Sequence, residues 1–294
     1  MDTVHAQASL GLLANDEIVH YRQKGYLVLR GLLGPKLVAA SIEAISGLAS
    51  GRIPAGETKI MFEPGIDPAG LAPAEREDKI RKLADYTGDA PALRRAAMLR
   101  RLHASLDQLL GQGRVLFQEM ALIKPPFLGS EKPWHQDFAY FRVSDPSLIV
   151  GVWIALDRAA KDNGCMEVVP GSHLAGPAPH VPMADINVCH IEPSRVRVAD
   201  RVAVEMEPGD ALIFHPLLHH YTAPNSSPSR RRAVQFHYHQ IGLEWTSLEE
   251  HRRQYHDDAG AYAGCTVPKG TSPPAQTFTY RGPTTHPIVP MDDL

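Results

Sequence analysis

The sequence has little cysteine, no long apolar run and no excess of one charge. Its three cysteines, Cys165, Cys189 and Cys265, are scattered without a CxxC spacing, which argues against a disulfide framework and against a structural zinc site. No stretch approaches the roughly 18 consecutive apolar residues of a membrane-spanning helix. The formal net charge of −3 gives no reason to expect nucleic acid or an anionic membrane as a partner.

Neither end of the chain carries a targeting signal that we recognise. Residues 1–15 lack the basic region and the sustained apolar region of a secretory signal peptide. The last three residues, Asp-Asp-Leu, differ from the peroxisomal address Ser-Lys-Leu. Together with the few, scattered cysteines, these features predict a cytoplasmic protein whose thiols stay reduced.

The overall composition is that of an ordinary folded domain. Hydrophobic residues make up 44% and charged residues 21% of the 294 positions, so that a substantial core can form. We expect one domain over residues 1–294, in which the sequence pattern changes twice. A helical part at about 15–113 precedes a β-rich core at about 114–240, and a C-terminal extension covers 241–294.

Capping residues predict three helices in the N-terminal part. Asn15 is a suitable N-cap and Gly25 a suitable end for the first helix, and Pro35 opens the second. A third helix begins near Pro91 and runs towards residue 110. Residues 51–76 are rich in Gly, Pro and Glu without periodicity, and we interpret them as a mobile loop and a candidate lid.

From residue 114 onwards, short strands alternate with turn residues. Asn163-Gly164 is a strong signal for a two-residue hairpin. Many short strands that follow N-terminal helices favour a closed antiparallel architecture such as a jelly roll. A first strand is predicted at 26–30, and seven more at 115–123, 138–142, 148–156, 166–169, 202–206, 210–214 and 232–239.

The segment PWHQDF at 133–138 carries the strongest chemical signal. It holds His135 and Asp137 two residues apart, and alternate residues of a strand point the same way, so both can reach one metal ion. Two histidines and one carboxylate leave three positions of an octahedron open, the arrangement of non-heme Fe(II) oxygenases. Three downstream histidines are candidates for the remaining ligand: His215, His219 and His220.

Around these residues the sequence resembles the phytanoyl-CoA dioxygenase family of Fe(II)- and 2-oxoglutarate-dependent oxygenases, over roughly residues 15–240. The resemblance rests on the His-x-Asp pair, a distant histidine and Arg231, which stands eleven positions after His220. It extends to five further segments: GYLVLRGLL at 25–33, IKPP at 123–126, VWIAL at 152–156, NGC at 163–165 and PGSH at 170–173.

The resemblance implies a fold, a metal site and a reaction. The fold is mainly β with N-terminal helices, a double-stranded β-helix of the cupin-like jelly-roll type. The family spacing selects His220 as the third ligand, so that His135, Asp137 and His220 would hold Fe(II) as the catalytic centre. With 2-oxoglutarate and O2 as co-substrates, the enzyme would hydroxylate an unactivated carbon of a small molecule and release succinate and CO2.

Several positions match the co-substrate pocket of the family. A buried carboxylate needs a charged partner, and the guanidinium of Arg231 can pair with both oxygens of the 2-oxoglutarate C5 carboxylate. Strand alternation turns its neighbours Arg230 and Arg232 outward. Gln118 is a candidate substrate contact, although a strand-edge glutamine explains it almost as well. The resemblance places four further residues near the co-substrate: Thr222, Trp153, Met120 and Lys82.

Two other classes of function remain open at this point. The same fold could serve a non-catalytic binding or regulatory protein, and the same three ligands could hold zinc in a hydrolase. In a zinc hydrolase Arg231 and Trp153 would have no evident task. No motif selects the substrate among acyl-CoA, amino acids, phosphonates and secondary metabolites.

Overall fold

The computed structural model describes residues 12–182 and 189–265. Within these ranges six α-helices are α1 Asn15–Lys24, α2 Pro35–Ser50, α3 Pro73–Arg76, α4 Pro91–Ala97, α5 Arg100–Leu110 and α6 Leu248–Gln254. The strands are β1 Tyr26–Leu29, β2 Lys59–Phe62, β3 Ile80–Ala84, β4 Arg114–Lys124, β5 Lys132–His135, β6 Ile149–Ala155, β7 Met166–Val168, β8 His180–Pro182, β9 Cys189–Ile191, β10 Val202–Val204, β11 Ala211–Phe214, β12 His220–Thr222 and β13 Arg231–Gln240.

Two antiparallel sheets form the body of the protein. The larger sheet has the strand order β1-β11-β6-β13-β4-β3-β2, and the smaller has the order β10-β7-β12-β5. Strands β8 and β9 form a separate two-stranded sheet. Neighbours in these sheets come from distant parts of the chain, as in a double-stranded β-helix. The predicted jelly-roll fold with N-terminal helices is therefore confirmed.

Alternation along β13 separates the two faces of the larger sheet. Phe236 and Tyr238 point to the outer face, where the helices cover them in the largest hydrophobic cluster. Arg231, Gln235 and His237 point to the inner face, towards the smaller sheet. Side chains on a strand turn to opposite faces at successive positions, so this one strand carries both the helix-packing core and the polar lining of the barrel.

The first helix ends where the sequence predicts it. Gly25 has a φ of +82° and caps α1, because its amide N–H donates to the carbonyl of Tyr21. A Cβ at this position would come within 2.6 Å of the His173 ring, so both the backbone conformation and the space require glycine. The predicted start of α2 at Pro35 is also found.

Four predictions of local structure are wrong. Residues 51–76 are not a featureless loop, since they contain β2 at the edge of the larger sheet and the short helix α3. The strand predicted at 138–142 is a 3-10 turn, Asp137–Tyr140, and the third helix is two helices, α4 and α5. Asn163-Gly164 closes another 3-10 turn, in which the Asn163 side chain accepts from the Ala160 amide, so it forms no two-residue hairpin.

The expectation that the cysteines stay unpaired is also wrong. Cys189 at the start of β9 and Cys265, beyond α6, form a disulfide with a Cα–Cα distance of 5.8 Å. They lie 76 positions apart in the sequence, so only the fold reveals the pairing. Cys165 is a buried free thiol. No helix within 12–182 and 189–265 is long and apolar enough to cross a bilayer. Residues 266–294 of the predicted C-terminal extension lie outside these ranges.

Candidate metal and co-substrate site

Three buried side chains from the smaller sheet meet at one point between the two sheets. His135 ends β5, His220 opens β12, and the two residues are paired across the strands. Their Nε2 atoms lie 3.3 Å and 3.6 Å from Oδ1 of Asp137. One ligand atom from each of the three side chains lies within 4.8 Å of the others. Donor atoms bound about 2.1 Å from one ion stand about 3 Å apart at right angles, so this cluster has the size of a single-ion site.

Hydrogen bonds orient both imidazoles for metal binding. The Nδ1–H of His135 donates to the carbonyl of Pro133 at 2.8 Å, and that of His220 donates to the carbonyl of Leu218 at 2.9 Å. The Nε2 lone pairs are then left for the ion. Burial holds the pKa of both histidines below the ordinary value, and for His135 the neighbouring His220 lowers the pKa further. Neutral imidazoles are the form that binds a metal ion.

The second oxygen of Asp137 is held from the other sheet. Nε2 of His237 lies 2.9 Å from Oδ2, and the Gln235 amide donates to the same oxygen at 3.1 Å. Burial alone would raise the pKa of Asp137, but the neighbouring His220 and His237 and its hydrogen bonds hold that pKa well below the usual value. The carboxylate is thus ionised and fixed, with one oxygen directed to the two histidines and the other held by β13. Sequence reasoning missed both Gln235 and His237.

The other two candidate histidines do not join this cluster. His219 is buried with its backbone amide bonded to Ser172 Oγ at 2.8 Å, and it does not belong to the group that could hold an ion. His215 follows β11, accepts from the Leu217 amide through Nδ1, and packs its ring 5.0 Å from that of His173. The structure therefore brings His220, and neither of its competitors, to His135 and Asp137.

Arg231 lies on the inner face of β13 and is only 2% exposed. One terminal nitrogen donates to the carbonyl of Leu122 at 3.1 Å, and the guanidinium carbon lies 5.3 Å above the Trp153 ring. Within the described ranges it forms no ion pair, and its Nε is buried without a hydrogen-bond partner. Burial lowers its pKa to about 10, so the side chain remains a cation at neutral pH.

The neighbouring arginines face the other way and are neutralised by acids. Arg232 donates to both oxygens of Asp157 at 2.8 Å and lies 3.2 Å from Glu77. Arg230 pairs with Glu77 and Asp78. These pairs lie outside the inner lining that carries Arg231. Of the three successive arginines, the buried Arg231 therefore pairs with no carboxylate in residues 12–182 and 189–265, whereas each outer arginine pairs with two acids.

The remaining predicted residues lie on the same inner lining. Trp153 is fully buried on β6, opposite Gln235, and its indole N–H has no partner in the described part of the chain. Residues that pair across neighbouring strands share a face, and this pairing places three more predicted residues on the inner face. Met120 pairs with Gln235, Gln118 pairs with His237, and Lys82 of β3 pairs with Leu122.

Thr222 and Lys82 complete the set of predicted positions. Thr222 is buried on β12, two residues after His220 and therefore on the same face of that strand. Burial and the charge of Lys132 lower the pKa of Lys82 to about 7. Asp137 acts on the same lysine in the opposite direction, which places Lys82 within electrostatic reach of the metal cluster.

These residues fit a divalent iron ion and a dicarboxylate. Two imidazoles and one carboxylate are the donors of a facial triad with open positions. On the same inner lining, Arg231 Nε and the Trp153 indole N–H are buried polar atoms that find no partner among the described residues. A buried guanidinium without an acid is costly unless a ligand anion pairs with it. On a jelly roll, this combination defines the class of Fe(II)- and 2-oxoglutarate-dependent oxygenases.

Comparison with known proteins gives the family. The model of the family "Phytanoyl-CoA dioxygenase (PhyH)" matches residues 21–233, and the chain belongs to this family. It is 29% identical over 242 residues to the peroxisomal phytanoyl-CoA dioxygenase of Homo sapiens, an alignment that covers 78% of this chain and 70% of the human protein. The resemblance predicted from the sequence is confirmed, and the protein is an Fe(II)- and 2-oxoglutarate-dependent dioxygenase.

Solved structures share the fold at lower identity. EctD from S. alaskensis, solved with 2-oxoglutarate and 5-hydroxyectoine, superposes with a TM-score of 0.67 at 20% identity over 95% of this chain and 88% of that chain. The epimerase SnoN, solved with Fe3+, alpha ketoglutarate and nogalamycin RO, gives 0.62 at 22% identity over 92% and 95% of the two chains. Nothing in the described ranges favours a non-catalytic protein or a zinc hydrolase.

Proposed function

We propose that this dioxygenase hydroxylates an unactivated carbon of a small-molecule substrate at the cluster of His135, Asp137 and His220. The observation that carries the proposal is the buried Arg231 guanidinium, which pairs with no acid of the described chain and shares the inner lining with a three-ligand cluster. In the balanced reaction, substrate, 2-oxoglutarate and O2 give hydroxylated substrate, succinate and CO2. When bound, Fe(II) supplies the oxidising chemistry, and the protein supplies binding, orientation and exclusion of water.

The chain's own residues divide this work between the two sheets. The smaller sheet and the turn that follows β5 provide the ligands His135, Asp137 and His220. The larger sheet fixes the carboxylate through Gln235 and His237, which hold Oδ2 and would leave Oδ1 of Asp137 for the ion. Metal ligands held in this way by further hydrogen bonds keep both their orientation and their protonation state.

Arg231 has the role of a carboxylate clamp in this proposal. It lies four residues before Gln235 on β13, so the two side chains share the inner face of that strand. There it would pair with the C5 carboxylate of 2-oxoglutarate, and Thr222 would add a hydroxyl. Trp153 supports the guanidinium from below, and Met120 and Lys82 would line the same pocket.

The nature of the substrate is proposed only at the level of a small molecule. EctD was solved with 5-hydroxyectoine and SnoN with nogalamycin RO, so small molecules of different chemistry occupy this fold. Gln118 is the candidate substrate contact, because it lies opposite His237 on the inner lining. A cytoplasmic location remains a prediction from the sequence, which immunolocalisation in the source cells would test.

The test is formation of succinate from 2-oxoglutarate by the purified chain with Fe(II) and O2, over a library of metabolites. Each compound that stimulates succinate formation is then examined for a product heavier by one oxygen atom. We expect Asp137→Ala to abolish both signals, whereas Asp162→Ala, which removes a surface carboxylate, should retain them. Stimulated succinate formation by the Asp137→Ala protein would contradict the proposal.

A further inference from the structure

The three candidate ligands differ in how the fold holds them. His135 and His220 are paired with each other across β5 and β12, so the ladder of the smaller sheet fixes both. Asp137 instead opens a single 3-10 turn, Asp137–Tyr140, which follows the end of β5. A 3-10 turn has poorer hydrogen-bond geometry than an α-helix or a sheet, so its position depends on the segments that contact it.

Both cysteines of the disulfide contact this turn through their backbones. The amide of Cys265 donates to the carbonyl of Ala139 at 3.0 Å, and the carbonyl of Cys189 accepts from the hydroxyl of Tyr140 at 3.5 Å. Ala139 and Tyr140 are the last two residues of the turn. The disulfide therefore joins two distant chain segments that both hold the turn of Asp137.

The same two segments also reach Gln136, the residue between the ligands of β5 and of the turn. The Nδ1–H of His180, on β8, donates to the carbonyl of Ala178 at 2.7 Å, so its Nε2 accepts from the amide of Gln136 at 3.0 Å. The amide of His180 in turn donates at 2.7 Å to the carbonyl of Ala263, two residues before Cys265. The C-terminal segment is thus connected to the ligand segment by a second route, through β8.

Cleavage of the disulfide changes the support of the turn without removing a ligand. While it is joined to β9, the segment that carries Cys265 is held at a high effective concentration beside Ala139. Once the segment is released, its hydrogen bond to Ala139 has to offset the conformational entropy of ordering it, so the bond forms less often. The bond from the Phe138 amide to the Pro216 carbonyl involves neither cysteine. The turn is therefore loosened rather than unfolded, and Asp137 is held less firmly.

The accessibility of the two sulfur atoms suits reversible cleavage by a dithiol. Cys265 is half-buried and Cys189 is buried, so a thiolate reaches the sulfur of Cys265 first. The attack breaks the S–S bond, releases the thiol of Cys189 and leaves a mixed disulfide on Cys265, which the second thiol of the dithiol displaces. Two electrons and two protons pass to the protein, and the dithiol leaves as a disulfide. Where thiols are kept reduced, as in the cytoplasm predicted from the sequence, disulfides are usually transient and redox-sensing.

We propose that the disulfide between Cys189 and Cys265 is a thiol–disulfide exchange site that regulates the metal site through the turn Asp137–Tyr140. The oxidised form holds Asp137 in place for tight metal binding. The reduced form binds the ion more weakly, and turnover falls with the bound metal. The assignment rests on the proposed function, because it takes Asp137 as one of the three ligands.

The test measures the Mn(II) affinity of the full chain by calorimetry, in the oxidised form and after reduction with dithiothreitol that is then removed in the absence of oxygen. Under denaturing conditions the oxidised chain should show one free thiol, that of Cys165, and the reduced chain three. We expect reduction to weaken Mn(II) binding by roughly tenfold, the scale on which lost support of a metal ligand acts, and reoxidation to restore it. Cys265→Ser should bind Mn(II) as weakly as the reduced chain, with or without reductant.

Two variants separate this effect from a general loss of stability. Cys165→Ala should respond to the reductant as the unmodified chain does. Leu106→Ala opens a cavity in the buried face of α5 and destabilises the fold, but it should keep full Mn(II) affinity while circular dichroism shows it folded. Equal losses in Leu106→Ala and Cys265→Ser would overturn the proposal, because Mn(II) affinity would then follow global stability.

Three results with the unmodified chain would also overturn it. They are equal Mn(II) affinities of the oxidised and reduced forms, three free thiols in the chain purified in air, and a reduced chain that is unfolded without urea. In the last case the disulfide would be a requirement of the fold and not a switch. Failure of the oxidised, folded chain to bind Mn(II) would instead refute the proposed function.

Discussion

His237 and Asp137 are joined across the barrel, with Nε2 of the histidine 2.9 Å from Oδ2 of the carboxylate. The two residues lie 100 positions apart, one on the larger sheet and one beside the smaller sheet. Because the carboxylate is ionised, the imidazole nitrogen must donate the proton of this bond. The contact therefore fixes which oxygen of Asp137 remains available to a metal ion.

We expect His237→Phe to weaken metal binding by roughly ten- to a hundredfold, because only the Gln235 amide then holds Oδ2 of the ligand carboxylate. Phenylalanine keeps a ring of similar size in a fully buried position. The measurement is calorimetric titration of Mn(II) into the metal-free protein. His239→Phe is the matched control, since His239 lies on the same inner face and bonds to the Gln240 carbonyl rather than to Asp137. Equal losses in both variants would mean that packing, and not the bond to Asp137, maintains the site.

The adjacent pair His219 and His220 offers an internal test of the ligand set. Only His220 directs Nε2 to Asp137, at 3.6 Å. We expect His220→Ala to lower Mn(II) affinity by at least about a hundredfold and His219→Ala to change it by less than about threefold. Both side chains are buried, so the folded fraction of each variant should be checked by circular dichroism. A larger loss of affinity in His219→Ala would contradict the assignment.

Some parts of this site could be read from the sequence, and some could not. The alternation of Arg230, Arg231 and Arg232 follows from strand geometry alone, and the structure has it as predicted. The argument that placed His135 and Asp137 on one strand was less accurate. The strand β5 ends at His135 and a 3-10 turn begins at Asp137, so it is this turn, together with β13, that places the carboxylate.

The features that sequence reasoning missed share one physical cause. The irregular register between β5 and β12 depends on two strands that are distant in sequence, and the disulfide joins cysteines 76 positions apart. Strand β2 has only four residues in a Gly- and Pro-rich region, and it exists because β3 offers it an edge. Each feature is decided by a partner that is distant in sequence, and local patterns contain no information about such partners.

Reduction of the disulfide between Cys189 and Cys265 should destabilise the protein. A disulfide that closes a loop of 76 residues lowers the conformational entropy of the unfolded chain. In the chain-entropy model this stabilises the folded state by about 4 kcal/mol. We expect urea unfolding to occur at a lower midpoint in dithiothreitol, and Cys265→Ser to show the low midpoint with or without reductant. Cys165→Ala should keep the sensitivity to reductant, because Cys165 is a free thiol. A midpoint that does not respond to dithiothreitol would show that the disulfide adds no stability.

Stability should also fall in mild acid, because buried histidines are neutral in the folded state. His103 bonds to the Ala97 carbonyl and accepts from Arg114, and burial lowers its pKa from 6.5 to about 4. Below pH 6.5 the unfolded state binds the extra proton first, so the stability from this group is present above pH 6.5 and is lost as the pH falls towards 4. In urea unfolding, the free energy of unfolding of His103→Gln should fall by about 2 kcal/mol less than that of the unmodified protein between pH 7.5 and pH 5.0. Equal decreases in the two proteins would show that folding does not lower the pKa of His103.

Arg231 should control the affinity for 2-oxoglutarate without affecting the metal. Removal of a desolvated charge partner costs on the order of 2–5 kcal/mol. At about 1.4 kcal/mol per decade, Arg231→Ala should then weaken 2-oxoglutarate binding by roughly one and a half to three and a half powers of ten. Arg231→Lys should restore only part of this loss, because an ammonium cannot make the planar two-point contact. The measurement is calorimetric titration of 2-oxoglutarate in the presence of Mn(II).

The neighbouring arginines provide the control for this last experiment. Arg230 and Arg232 already form ion pairs with acids on the outer surface, namely Asp78, Glu77 and Asp157. Arg230→Ala and Arg232→Ala should therefore change the affinity for 2-oxoglutarate little. Mn(II) binding should be nearly the same in all variants, because none of the three arginines is a ligand. Similar losses of 2-oxoglutarate affinity at all three positions would mean that the net positive charge of this segment attracts the dicarboxylate. A loss confined to Arg231 would instead require one buried guanidinium directed at one carboxylate.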